Sequence, residues 1–292
     1  MPRLPATRGN ALFSGSQNEI VQSAVPLVPD FVRASGGVRV RFGASAGRTQ
    51  ALERAESGGY RVRFPRTRET CEAVLINTGG GMTGGDHMRA EISLDAGAAA
   101  LVTTQAAEKI YRSQGALTEI GIDLKLAAGS RLDWLPQEMI LFCGSRWHRQ
   151  LTADIVADAS LTIAESIVFG RVAMNEVVDR GSSHDRWRIR RGGRLIFAED
   201  MRLDANPAGL LAAKACGKGA RALATILHVA ADAEQRLDQA RDLLQPAASE
   251  CGASSWNGML VVRMLSPDPQ RLRADLVRFV EGFRDAPMPR SW

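Results

Sequence analysis

Cysteine, lysine, aromatic residues and long apolar runs are all scarce in this 292-residue chain, and each scarcity excludes something. Cys71, Cys143, Cys216 and Cys251 lie far apart with no CxxC pair, which argues against a disulfide scaffold and against a structural zinc site. No run approaches the ~18 apolar residues of a membrane-spanning helix. Only 5% of residues are aromatic and the 32 acids are interspersed among the bases, so nucleic acid finds few stacking platforms. Met1 to Asn10 contain arginine and proline but no apolar stretch before a small-residue cleavage site; a cytoplasmic chain without a secretory signal is expected. Catalytic signatures are missing too: there is no HExxH and no GxSxG elbow, and His87, His148, His184 and His228 are scattered in sequence. His148 and His184 read as surface or satisfied core residues rather than metal ligands.

What is present is a globular composition, with 45% hydrophobic and 24% charged residues, long enough to bury a core without staples. Four of the 37 basic residues are lysine and the remaining 33 arginine, which suits an acidic protein partner through bidentate contacts or simply reflects coding bias. Residues 1–34, with Pro2, Pro5, Pro26 and Pro29, show no period and read as an irregular N-terminal arm. Residues 35–292 read as one β-rich domain. Apolar residues alternate at Val38, Val40 and Phe42, at Tyr60, Val62 and Phe64, from Met88 to Leu94, from Ile120 to Leu126, from Leu151 to Val156 and from Leu161 to Phe169. Turns such as Asp95-Ala-Gly97 and Ala127-Ala-Gly129 punctuate these runs, the pattern of an all-β body of many short strands. Arg186 to Phe197 reads as a hairpin turning at Gly192-Gly193, and seven arginines against three acids between Arg180 and Arg202 mark a solvated face or a dock for an acidic partner. Helices are expected over Ala231 to Leu244 and, after a strand at Met259 to Leu265, from Asp268 onward, where Leu272, Leu276, Phe279, Val280 and Phe283 form one stripe.

Three segments could carry chemistry. Gly79, Gly81 and Gly84 spell a GxGxxG after a strand, and a nucleotide- or anion-binding enzyme using the Gly79–Asp86 loop is one reading. Dinucleotide binding, however, needs a helix after the glycines, and the alternation from Met88 onward is a strand; no Lys-Ser/Thr completes a P-loop. Thr103-Thr104-Gln105, with Lys109, Tyr111 and Arg112, could line an internal channel or satisfy buried backbone groups. Glu165 falls in phase with Leu161, Ile163, Ile167 and Phe169, on the inward face of its strand, and Glu176 falls in phase with Val172, Met174 and Val178. A buried carboxylate needs a partner, water, a raised pKa or a metal. Arg171 is the natural partner for both; a functional polar interior and a bulge that alters the phase are the other two readings.

Gly47-Arg-Thr49, Thr78-Gly79-Gly80 with Gly84-Gly85-Asp86, Thr103-Thr104-Gln105 with Lys109 and Tyr111-Arg112-Ser113, Leu135-Pro136-Gln137, Gly170-Arg171 with Glu176, and Pro289-Arg-Ser-Trp292 form an ordered series. In that order the chain resembles the UreD (UreH) family of urease accessory proteins from about Gly37 to Trp292. It departs from the family pattern in the first 30 or so residues and in the arginine-rich link from Arg61 to Glu69. The resemblance implies a mainly β, layered helicoidal fold with a few helices, two of them near the C-terminus. It also implies a non-enzymatic nickel-insertion chaperone that binds apo-urease (UreA, UreB, UreC) and UreF, which recruits the GTPase UreG. No tightly bound cofactor is expected, only nickel in transit through a water-filled tunnel, for which Asp86, Glu165 and Glu176 match acidic positions of the path.

Overall fold

Two-residue periodicity is built into sheets as the sequence expects. The computed structural model describes residues 33–67 and 70–292. Most of the expected N-terminal arm, together with Arg68 and Glu69 of the link, lies outside them. The described chain opens with β1 (Ser35–Ser45), β2 (Arg48–Ser57), β3 (Tyr60–Arg63) and β4 (Cys71–Asn77). Three coils of a helicoid follow. The first is β5 (His87–Leu94), β6 (Ala99–Thr104) and β7 (Glu108–Ile110); the second is β8 (Thr118–Leu126), β9 (Arg131–Leu135) and β10 (Met139–Leu141); the third is β11 (Arg146–Ile155) and β12 (Ser160–Phe169). Equivalent strands stack in parallel, β5 on β8 on β11 and β6 on β9 on β12. The coils turn where Gly97 and Gly129 supply the positive φ angles of +68° and +62° that tight corners need.

The hairpin of β13 (Gly181–Arg191) and β14 (Arg194–Ala205) turns at Gly192 and Gly193, both at positive φ. It completes a seven-stranded sheet in the order β14-β13-β11-β8-β5-β1-β2. After the short helix α1 (Pro207–Ala212), β15 (Ala222–Val229), β16 (Glu250–Trp256) and β17 (Met259–Ser266) extend the second sheet beyond β12 with antiparallel pairings. A 3₁₀ turn at Ala233–Arg236 leads into α2 (Leu237–Leu244), and α3 (Pro269–Arg284) closes the fold. The single helix expected over Ala231 to Leu244 is thus shorter and begins at Leu237. α3 begins where expected, because Asp268 caps the amides of Gln270 and Arg271 and Pro269 needs no donor at the first turn.

The layers are sheet, sheet and helix. Phe42, Ile92, Leu124, Leu151 and Ile189 from the seven-stranded sheet meet Val102, Leu132, Leu161 and Ile163 from the other in one core. On its far face the second sheet presents Leu101, Leu135, Ala164, Ile226 and Val262 to Leu272, Leu276, Phe279, Val280 and Phe283 of α3. Both faces of β12 are therefore buried, and a polar residue on it has no route to bulk water except through its neighbours. No helix among the described residues is long and apolar enough to cross a membrane.

Candidate functional site

The glycine loop and the two polar motifs after it meet at one end of the helicoid. Met82 pairs with β7 as an extra bridge, its amide donating to Lys109 O at 2.7 Å and its carbonyl accepting from Tyr111 N at 2.8 Å. Such close approach needs glycine on either side. A Cβ on Gly81 would lie 2.4 Å from the Tyr111 ring, and one on Gly84 would lie 2.1 Å from Ser113 Oγ and 2.4 Å from Ala116 O. Tyr111 Oη donates to Gly80 O (3.0 Å) and Thr78 Oγ1 to Gly59 O (2.8 Å). Asp86, buried, accepts Thr83 N on one carboxylate oxygen (2.7 Å) and Ala34 N on the other (2.9 Å). Amides that a phosphate would require are turned elsewhere: Gly79 N to Asn77 Oδ1, Gly80 N to Asn77 O, Gly85 N to Leu117 O and Asp86 N to Thr83 O. With β5 rather than a helix following, the loop is a strand connector and the nucleotide- or anion-binding reading loses its geometry. Gly84→Ala is expected to lower stability by about 1–3 kcal/mol, because backbone at Ala116 cannot yield. Urea unfolding checks this, and an undiminished midpoint would mean that the loop is free to shift.

Thr103-Thr104-Gln105, Pro136-Gln137 and the terminal Ser291-Trp292 form a single knot. Trp292 Nε1 donates to Leu135 O (2.9 Å) and Thr103 Oγ1 (3.2 Å), and Gln137 Nε2 donates to Gln105 O (3.0 Å) and Ser291 O (2.5 Å). Thr104 Oγ1 accepts Gln137 N at 2.9 Å. Arg273 lies over the Trp292 ring at 4.7 Å and donates to its carbonyl (2.7 Å). These hydrogen bonds tie the chain end to β6 and β9.

Beside this knot a small cavity of about 100 Å³ is lined by Tyr60, Asn77, Gly81, Thr104, Glu108 and Lys109. Glu108 accepts Asn77 Nδ2 on both oxygens (3.0 and 3.2 Å), yet burial outweighs that bond and the charge of Lys109, pushing its carboxyl up to about 7. The buried Tyr60 hydroxyl has no hydrogen-bond partner, and burial drives its pKa upward. Neither Glu108 nor Asn77 stands out in the sequence, because β7 is three residues long and shows no period.

Glu165 points between the two sheets, as its phase predicts, but its partner is not Arg171. Arg149 Nη1 from β11 lies 2.6 Å from Glu165 Oε2, and the same guanidinium holds Asp185 of β13 through Nε (2.9 Å) and Nη2 (2.5 Å). All three are buried. Trp134 Nε1 donates to Glu165 Oε1 at 2.7 Å, whereas the Arg149 contact is off-axis and leaves Oε2 without an aligned donor. Desolvation raises the Glu165 pKa against the attraction of Arg149, and Asp185 adds to the rise. Burial works against the charge on Arg149 as well, but Asp185 and Glu165 hold it protonated. Arg149 and Asp185 were legible by the same alternation, since Trp147, Leu151, Trp187 and Ile189 flank them in phase.

A polar line leads outward from this cluster. Glu165 lies opposite Thr225 of β15, and Thr225 opposite Arg263 of β17. Arg263 Nη1 donates to Thr225 Oγ1 (2.8 Å), and Nη2 pairs with Glu199 of β14, joining the two sheets.

The strand phase assigned to Glu176 is wrong. Gly170, at φ +80°, turns the chain out of β12, and Val172–Met174 forms a 3₁₀ turn with Met174 67% exposed. Glu176 folds back beneath that turn, accepting Arg171 Nε (2.8 Å), Arg171 N (3.1 Å) and Cys143 N (3.1 Å). Burial would raise its pKa, but these bonds hold it below the usual carboxylate range. Arg171 also covers the Phe142 ring at 4.4 Å, and Phe142 meets Tyr111 edge-on. Lys109 and Arg112 are exposed at the surface of this end. Asp86, Glu165 and Glu176 thus occupy three separate settings, and among the described residues no three His, Cys, Asp or Glu side chains converge as they stand on a metal-sized point.

Comparison with known proteins bears on this geometry. The family model described as UreD urease accessory protein matches residues 34–292. Urease accessory protein UreD 2 of Methylorubrum populi is 48% identical over 290 residues, covering 97% of each chain. Urease accessory protein UreD of Azorhizobium caulinodans is 47% identical over 261 residues, 89% of this chain and 96% of the relative. Urease accessory protein UreD 3 of a Bradyrhizobium strain is 42% identical over 261 residues, 89% and 94% of the two chains.

Proposed function

The chain belongs to the UreD urease accessory protein family, and from that premise we propose that it is a cytoplasmic, non-catalytic maturation chaperone. It bridges apo-urease (UreA, UreB and UreC) to UreF and the UreG GTPase and passes nickel toward the urease active site. The observation that carries the reading is identity of 48% along nearly the whole of a urease accessory protein. The interior supports a route for the ion: the charged cluster of Arg149, Glu165 and Asp185 lies between the sheets, and Thr225, Arg263 and Glu199 continue it toward solvent. Nickel is cargo here. A conduit must hold a divalent cation weakly enough to release it, which suits isolated carboxylates and hydroxyls better than a converged ligand set.

The test is activation of apo-urease by UreF, UreG, nickel and bicarbonate, with and without this protein. A co-purifying complex and strict dependence of activity on the protein are expected; full activity without it would sink the chaperone reading. Glu165→Gln separates the route from the scaffold. It should assemble normally and yield urease with less nickel, and fully loaded urease from that variant would remove Glu165 from the path.

A further inference from the structure

Three of the four histidines, scattered in sequence, are aligned by the fold into one row on the outer face of the seven-stranded sheet. Parallel register sets His87 of β5 beside Glu119 of β8, Glu119 beside His148 of β11, and His148 beside His184 of β13. Neighbours in such a row are about 4.8 Å apart and point to the same side. We propose that His87, Glu119 and His148 form a surface site for a divalent first-row transition cation, with His184 as the residue that positions His148.

The donor set is two imidazoles and a carboxylate from three consecutive strands, with the carboxylate in the middle. An ion held above Glu119 is within reach of an imidazole on each side, and the combination suits nickel, zinc, cobalt or iron rather than calcium or magnesium. His87 Nδ1 already lies 3.2 Å from Glu119 Oε2, and both side chains are about half exposed, at 52% and 54%, so they can turn to a shared ion. His148 Nε2 is buried and has no hydrogen-bond partner, so the ring must turn to bring it to an ion. Its ring stacks on His184 at 4.9 Å, and His184 Nε2 is anchored on Asp200 Oδ1 at 2.7 Å, the arrangement by which an outer carboxylate orients an imidazole.

Space agrees. Gly37 and Gly121, in the adjacent row, floor an open groove of about 700 Å³ onto which His87, Glu119 and His148 all face. Of the cations around the row, Arg89 pairs with Glu91 and Asp123 (3.1 and 2.9 Å), and Arg186 and Arg202 pair with Asp200 (3.3 and 3.4 Å), while Arg146, two residues before His148 on the same face, makes no ion pair among the described residues. Filling the site requires rotation of these side chains, since no three ligands converge as they stand; χ2 of histidine is broad enough to permit it.

The full chain is titrated with Ni²⁺ and separately with Zn²⁺ against a chromophoric chelator, with no urease or other protein present. One equivalent of saturable binding is expected, weakened about tenfold or more in His148→Gln and in Glu119→Gln and about tenfold in His184→Gln, with circular dichroism and thermal midpoint unchanged. Asp238→Asn, on α2 and away from the row, should bind as the parent does. Unaltered stoichiometry and affinity in a Glu119→Gln, His148→Gln double variant, or no binding by the parent at ~1 mM metal, well above the micromolar range, overturns the site. Either failure leaves the maturation role untouched, because that role is read from urease activation.

Discussion

Arg149→Leu should all but abolish the folded state. Among the described residues its guanidinium is the one cation that pairs with both Glu165 and Asp185, so its loss strands two carboxylates between the sheets. Removing one partner of a buried pair costs about 3–5 kcal/mol, a large share of the ~5–15 kcal/mol that holds a domain together. Glu165→Gln should behave oppositely. The cluster carries two negative charges and one positive, so neutralising Glu165 leaves Arg149 and Asp185 balanced, and the amide oxygen can still accept from Trp134. A raised pKa says that the folded state disfavours the Glu165 carboxylate; relieving it should leave stability within about 1 kcal/mol of the parent, or above it. Urea unfolding at neutral pH reads both variants. Equal destabilisation would mean that Arg149 depends on Glu165 as much as Glu165 on Arg149, contrary to the bidentate grip on Asp185.

That asymmetry shows where sequence reasoning reached and where it stopped. Period-two alternation located the strands and the inward aim of Glu165, because a half-buried sheet forces one face apolar and makes a carboxylate there conspicuous. Which cation answers Glu165 is a matter of which strands face each other across the layers. Arg171 is six residues away in sequence but turns outward at Gly170, whereas Arg149 belongs to the opposite sheet. The error over Glu176 has the same root: alternation was extrapolated through a glycine at positive φ, where the strand ends. The histidine row was invisible for a related reason. Its members are separated in sequence by the lengths of the helicoid's coils, and only parallel register brings them into line. Family motifs fared better than their chemistry suggested. The glycine loop is hydrogen-bonded to Tyr111, and Thr103-Thr104-Gln105, Gln137 and the terminal tryptophan are hydrogen-bonded in a separate knot, so the spacing of these motifs has a structural meaning whatever passes nearby.

Between about pH 4.5 and 6.5 two desolvated groups, half-buried Glu108 and buried His228, should pull stability in opposite directions and hide each other. Glu108 has a folded-state pKa pushed up to about 7, mainly by burial. The folded state then binds its proton more tightly than the unfolded chain, so stability falls as pH rises through that window. His228 is the reverse case. Burial, then the charge of Arg236, lowers it to about 4, leaving a neutral ring that meets Thr162 Oγ1 at 3.0 Å beside Phe283. Here the unfolded chain binds the proton more tightly, and stability is lost as pH falls from about 6.5. Each shift corresponds to roughly 3 kcal/mol, so Glu108→Gln should be more stable than the parent above pH ~7, by up to roughly that amount, and nearly equal to it below pH ~4.5. His228→Gln should gain on the parent in the acid direction instead. Difference curves of unfolding free energy against pH for the two variants should therefore slope oppositely. A flat difference curve for Glu108→Gln would show that its carboxyl titrates at the ordinary value and that the cavity beside Tyr60 is wetter than its enclosure implies.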